Sequence, residues 1–275
     1  MTSESAGSAG KCVSLVKMHG AHNTFVLVDE RPARCADYNG LARTLCARDG
    51  PVDGADGILV VLEAREASVA MRIFNADGSE AEMCGNGIRC IARYLFERGE
   101  GDAFTIATGS GRIGATVTAR APFAATVDMG PVHFPHGVEE EALEVSGTTW
   151  RLYEVSLGNL HAVALVDDVD TVDLLALGKA LQTHGRFRTG TNVHLAAALD
   201  TRTLNVRHFE RGVGLTQACG TGAVAVAAVA IAARGFPSPL DVRVPGGTLA
   251  VAWQPGGHAQ LTGGAEFVLE REVEL

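Results

Sequence analysis

The chain has no basic block and no stripe of basic and aromatic residues. It has 23 Lys and Arg against 32 Asp and Glu, a formal charge of −9, over 275 residues. Nucleic acid and anionic membrane are therefore poor partners. No apolar run is long enough to span a bilayer, the longest being residues 223–233, and the opening MTSESAGSAG has neither the basic start nor the apolar core of an export signal. A cytoplasmic, soluble protein is expected. There is no CxxC, so zinc ribbons and thioredoxin-like redox motifs lack their basic unit. There is no Walker A sequence and no GxSxG. GSGRIG at 109–114 fits GxGxxG in form, but the strand-like ATVTA that follows it removes the helix a dinucleotide site requires. Neither a metal nor a nucleotide is expected as cofactor. Six cysteines (12, 35, 46, 84, 90 and 219) in so long a chain do not form a disulfide scaffold and read as free thiols.

What is present reads as alternating strands and helices. Residues 1–10 are small and polar and read as a disordered tail. VSLVKMHGAHNTFVLVDE reads as two strands around a turn, ADYNGLARTLCARDG as a helix stopping at Gly50, and GILVVLEA and ASVAMRIFNADG as strands. In IRCIARYLFERG, Ile88, Ile91, Tyr94 and Leu95 recur at helical spacing, with Gly99 placed to end the helix. FTIATGSGRIGATVTA reads as a Gly-rich hairpin and FAATVDMG as a further strand. The second half repeats the order, from TWRLYEVSLGNLHAVALVDD through a helix in VDLLALGKALQTHG to DVRVPGGTLAVAW. Cys84 and Cys219, each followed by glycine, one polar residue, glycine and a long helical stretch, are 135 positions apart. An internal duplication into two similar α/β domains, divided near Gly130, is the simplest reading, against chance matching of short Gly motifs. AVAVAAVAIAAR is apolar on every side and must be sheathed by protein, as a curved sheet wrapped around it would do.

A thiol just ahead of a helix sits where unpaired N–H groups and the helix dipole favour negative charge, which makes it a usable base. The same N–H groups, of Gly85 and Asn86 in one half and Gly220 and Thr221 in the other, can hold a carboxylate, and glycine lets it approach closely. If both helix starts face one cleft, an α-carbon between two sulfurs loses a proton to one and regains it from the other, and its configuration inverts. The carbanion is then stabilised by preorganised helix ends in place of an electron-sink cofactor. Cys12, Cys35, Cys46 and Cys90 read as small buried hydrophobes. Papain-like pairing of one cysteine with His161 or His208 would leave the second Cys-Gly site unexplained.

MHGAHNTF, RIFNADGSEAEMCGNGIRC, GNLHAV, TNV, ERGVGLTQACGTGA and VPGG, in that order from residue 18 to 247, resemble the cofactor-independent diaminopimelate epimerases. The resemblance implies an α+β fold of two similar domains, each a curved, mostly antiparallel sheet around a central helix, with the active site in the cleft between them. It implies domains at 11–129, completed by a C-terminal strand over 265–275, and at 130–264. The implied activity is isomerisation between L,L- and meso-diaminopimelate, in lysine and peptidoglycan precursor biosynthesis. The partner is a small-molecule amino acid, with no cofactor and with a homodimer as the expected assembly. The catalytic cysteines fall on Cys84 and Cys219. Asn23, Asn75, Asn159 and Asn192 match amide contacts to substrate, and Gly85, Asn86, Gly220 and Thr221 the α-carboxylate cradle. Glu210 and Arg211 match an acid–base pair for the distal ammonium and carboxylate, and His161 and Glu210 also match groups that tune the thiols. Thr24, Leu160 and Leu215 depart from the family's usual Asp, Pro and Glu, which keeps open a racemase of another amino acid. A non-catalytic thiol or carboxylate-binding protein is the alternative of a different class.

Overall fold

The computed structural model describes residues 12–31 and 37–274. The expected tail over 1–10 lies outside them, as does Cys35. The first half runs β1 (Cys12–Gly20), β2 (Asn23–Asp29), α1 (Tyr38–Leu45), β3 (Gly57–Leu62), β4 (Val69–Asn75), β5 (Glu80–Ala81), α2 (Gly85–Glu97), β6 (Ala103–Thr108), β7 (Gly111–Arg120) and β8 (Phe123–Pro131). The second runs β9 (Glu141–Val145), β10 (Thr148–Ser156), β11 (Leu160–Leu165), α3 (Leu174–Gln182), β12 (Asn192–Ala198), β13 (Thr203–Glu210), β14 (Gly214–Thr216), α4 (Gly220–Arg234), β15 (Leu240–Val244), β16 (Gly247–Ala252), β17 (His258–Gly263) and β18 (Glu266–Glu274). α1 is shorter than its sequence suggests. It stops at Leu45, and the chain turns through Asp53 and Gly54, both at positive φ, before β3 begins.

Strand neighbours repeat pair for pair. In the first half they run β1–β2–β3–β4–β6–β7–β8, with β2–β3 and β4–β6 parallel, the other pairs antiparallel, and β5 added to β4. In the second they run β10–β11–β12–β13–β15–β16–β17, with β11–β12 and β13–β15 parallel and β14 added to β13. Each half curls around one helix, α2 or α4, as two similar domains of a mixed α+β fold. Helix α4 is buried from Ala223 to Ala230, as an all-round apolar helix requires. Gly99, at φ 75°, follows the end of α2 in the left-handed conformation that closes helices.

A returning strand and a shared strand pair knit the halves together. β18 returns to pair with β1, while β9, which follows β8, pairs with β10. The equivalent strands β8 and β17 pair antiparallel with each other, and Thr126 Oγ1 and Thr262 Oγ1 meet at 2.6 Å. Along β8, Phe123, Ala125, Val127 and Met129 alternate inward. The resulting core is continuous across both halves and contains residues of α2 and α4. Smaller apolar clusters lie under α1 and α3. β2 and β3 are therefore covered on both faces, which explains their unbroken apolar runs. Among the described residues no helix is long and apolar enough to cross a membrane.

Candidate active site

The two helix starts converge. A Cβ on Gly220, the first residue of α4, would lie 3.8 Å from Gly85 Cα, the first of α2. Both glycines press on Met129 and Leu261, from the equivalent strands β8 and β17. The residues just ahead of the helices are Cys84 and Cys219, with nearly the same backbone conformation (φ −146°, ψ 115° and φ −121°, ψ 113°). Cys219 Sγ accepts the Gly222 N–H at 3.3 Å and lies 3.6 Å from Thr221 Oγ1. Cys84 donates instead to Asn23 Oδ1, at 3.8 Å.

Asn86 ties the poles together. Its Nδ2 donates to Asn23 Oδ1 at 3.3 Å and to the carbonyl of Ala218, beside Cys219, at 3.4 Å. Its Oδ1 accepts from Arg89 Nη2 at 2.8 Å. Asn192 spends both ends of its amide on backbone, donating to the Leu160 carbonyl and accepting from the Arg211 N–H. Asn75 bonds within its own turn, to Ser79 Oγ, as asparagine readily does.

Glu210 and Arg211 part company. Neighbours on a strand face opposite sides, and among the described residues no ion pair joins them. Glu210 turns inward against Thr216 and Cys219, whereas Arg211 is exposed and donates to the Thr189 carbonyl. The acid and the base expected to hold the distal ammonium and carboxylate thus stand apart from each other, one inward and one exposed. Leu215 stands opposite Phe209, which packs under α3. It therefore lies on the sheet face away from Glu210 and Cys219, 47% exposed. Its apolar side chain does not reshape the surroundings of the thiol.

Burial sets the resting protonation of these groups. It pushes the Cys219 thiol well above the usual range, and the Glu210 carboxylate adds to the effect, against the Thr221 hydroxyl and Gly222 amide. Burial also raises Cys84, and the Glu210 carboxylate adds to it, while the amides of Gly87 and Asn86 and the Arg89 guanidinium pull the other way. Burial raises Glu210 itself, with Thr216 and Cys219 opposing. An anion shared by the helix ends thus meets two protonatable sulfurs and a carboxylate able to take a proton.

His161 belongs to a buried chain that sequence reasoning missed. Its Nε2 donates to Asn159 Oδ1 at 2.9 Å, its Nδ1 lies 2.8 Å from His194 Nε2, and His194 Nδ1 lies 2.8 Å from His208 Nδ1. With each ring neutral, the protons run one way: His208 donates to His194, His194 to His161 and His161 to Asn159. Desolvation depresses all three, His161 and His208 to about 3. Strand alternation was the available signal, since it puts His194 on the face of Asn192 and His208 on that of Glu210. Among the described residues no cluster of His, Cys, Asp and Glu is arranged to hold a metal.

A family model described as diaminopimelate epimerase matches residues 15–135 and 153–268. The chain is 41% identical over 277 residues to the diaminopimelate epimerase of Moorella thermoacetica, covering 94% of this chain and 99% of that one. It is 37% identical over 281 residues to that of Synechococcus elongatus, covering 96% and 99%. Among solved structures, a phenazine biosynthesis protein of the PhzF family from Bacillus anthracis superposes with a TM-score of 0.74 at 17% identity, over 96% of this chain and 100% of that one. A hydroxyproline epimerase from Agrobacterium vitis, with trans-4-hydroxy-L-proline bound, superposes with a TM-score of 0.72 at 18% identity, over 98% and 93%. At such identities these two share the fold.

Proposed function

The chain belongs to the diaminopimelate epimerase family, and from that premise we propose how its residues carry out the interconversion of L,L- and meso-diaminopimelate in lysine biosynthesis. One observation carries the reading: the two helix starts, each preceded by a cysteine, meet at Gly85 and Gly220. The α-carboxylate sits on the N–H groups of Gly85, Asn86, Gly220 and Thr221, where both dipoles favour negative charge. Its α-carbon lies between the sulfurs. A thiolate at one pole takes the α-proton, the helix ends stabilise the charge that spreads into the carboxylate, and the thiol at the other pole delivers a proton to the opposite face. The amino acid leaves inverted.

The remaining groups serve that step. Glu210, against Cys219, exchanges a proton with it between turnovers. His161 holds Asn159 Oδ1, which leaves the Asn159 NH2 to donate to substrate, and Asn23 bridges Cys84 and Asn86 in the same layer. Asn75 borders the site, Asn192 fixes the backbone at 160 and 211, and Arg211, held by the Thr189 carbonyl, binds the distal carboxylate. The domains are taken as 11–129 with 265–275, and 130–264, on the strength of the β1–β18 and β9–β10 pairings. The enzyme is read as a soluble cytoplasmic homodimer that needs no cofactor, with an amino acid and neither nucleic acid nor membrane as partner.

The test is incorporation of solvent deuterium at the α-carbon of recovered diaminopimelate. Exchange with inversion is expected in the intact enzyme, and Cys84→Ala or Cys219→Ala should abolish epimerisation while Cys90→Ala retains it. Full activity in Cys219→Ala would end the two-base reading, and faster exchange with glutamate or histidine than with diaminopimelate would reassign the substrate.

A further inference from the structure

The two poles of the site are not equivalent in charge. The 135-position offset that matches Cys84 to Cys219 also matches Arg89, in CGNGIRC, to Val224, in CGTGAVA, and Asn75 to Glu210. One pole thus carries a cation and a neutral amide where the other carries an apolar side chain and a carboxylate.

Arg89 is fully buried. Its guanidinium donates to Asn86 Oδ1 at 2.8 Å, to the Gly85 carbonyl at 3.4 Å and to the Gly264 carbonyl at 3.1 Å, all uncharged oxygens. Space for it is made by glycine: a Cβ on Gly20 would come within 3.3 Å of Nη2, and one on Gly263 within 3.1 Å of Nε. No carboxylate pairs with it among the described residues. Arginine stays protonated, and a buried cation without a counter-charge is strongly disfavoured. The ionisable groups facing Arg89 are the thiols of Cys84 and Cys90. Cys90 is sealed in the core, its thiol pushed up to about 12 by burial. Cys84, at the head of the same helix and partly exposed, is the group able to supply the missing negative charge.

We propose that Arg89 is the built-in counter-cation of Cys84, a positioning residue that makes Cys84 the more acidic thiol of the pair, the one that becomes the base, and leaves Cys219, against Glu210, the acid. Cys84 is faced by Glu210 from β13 and by Arg89 from α2, which oppose each other, whereas Cys219 is in hydrogen-bond contact with Glu210 and, among the described residues, has no cation beside it to offset it. A thiolate beside Arg89 neutralises a buried charge, and one beside Glu210 would add a second negative charge. The inference rests on the two-cysteine reading of the site for its meaning, but not for its measurement.

Alkylation by iodoacetamide, followed for each cysteine by peptide mass spectrometry across pH in the free protein, gives a titration midpoint for each thiol. Midpoints are compared, since Cys84 is more exposed than Cys219 and would react faster on access alone. An opposite charge nearby displaces such a midpoint by about one pH unit or more. Cys84 is expected to titrate at least that far below Cys219. Arg89→Met should raise the Cys84 midpoint by a similar amount with little effect on Cys219, Arg89→Lys should restore most of it, and Glu210→Gln should lower the Cys219 midpoint. Equal or reversed midpoints in the unmodified protein would overturn the proposal, and so would a folded Arg89→Met with an unmoved Cys84. If Arg89→Met does not fold, the unmodified protein and Glu210→Gln decide. No substrate enters these measurements, so ordered midpoints without deuterium exchange would refute the epimerase reading and leave the charge assignment standing.

Discussion

Arg211 and the buried histidines give the predictions that belong to single side chains. On the proposed reading, Arg211→Met would remove a charge-assisted contact to the distal carboxylate, worth about 1.5 to 3 kcal/mol, so kcat/KM for diaminopimelate should fall by roughly ten- to a hundredfold. Steady-state kinetics with diaminopimelate check this, and an unchanged kcat/KM would place Arg211 outside substrate contact. His161, His194 and His208 are neutral in the fold and titrate near 6.5 once unfolded. Below that value the unfolded chain takes up protons that the native state refuses. Stability should therefore be full above pH 6.5 and decline as pH falls toward about 3. Urea titrations between pH 7 and 4 measure the slope, and a His194→Gln variant should show a shallower one. The thiols were legible because a cysteine before a Gly-rich helix start is a local pattern that occurs twice. The histidine chain, the lone charge of Arg89 and the separation of Glu210 from Arg211 were not, since each depends on which sheet face meets which helix.

At the level of elements, the close approach of α4 to its sheet is set by glycine. A Cβ on Gly222 would fall 2.5 Å from His194 Cε1. Gly222→Ala must push the helix start off the histidine chain, and such overpacking costs about 1 to 3 kcal/mol. A lowered melting temperature, together with altered imidazole nitrogen resonances in NMR, is expected, and unchanged resonances would show the contact to be slack. Longer elements were readable from periodicity: α2 from its inward face, α4 from its unbroken apolar composition, β2 and β3 from runs covered on both sides. β5 and β14, with two and three residues, are too short to leave a pattern, and they exist because the strands beside them offer an open edge. The end of α1 at Leu45 was hidden because the residues up to Gly50 are compatible with helix, and the turns that follow are imposed by the packing of β3.

For the whole molecule, the duplication was legible as repeated spacing, but the way the halves are joined was not. The equivalent places of β8 and β17 in the repeat do not reveal that they pair with each other, nor do they place Ala21 against Gly246, where an added Cβ would clash with the Ala21 carbonyl. The crossing of β18 onto β1 makes the last strand part of the first sheet. A chain ending at Gly264 should leave the outer edge of β1 unpaired and expose Leu15 and its neighbours under α1. Loss of cooperative unfolding and of soluble expression is expected, measured by circular dichroism melts. A truncated chain with an intact melt would show that β18 contributes little. Because the central core draws on both halves, the full chain should melt in one transition.

The β8–β17 pair joins equivalent strands in antiparallel register about the contact between Thr126 and Thr262, which is the joint two identical half-length chains would form. A pair of separate copies would meet with matched poles: two arginines or none, two glutamates or none, and thiols of equal acidity. Proton transfer from one face to the other would then start from a tie. Covalent linkage of the halves breaks that constraint, because each position can change at one pole without changing at the other. What the single chain permits, and a symmetric assembly of its halves does not, is two poles of different charge, with Arg89 and Asn75 at one and Val224 and Glu210 at the other.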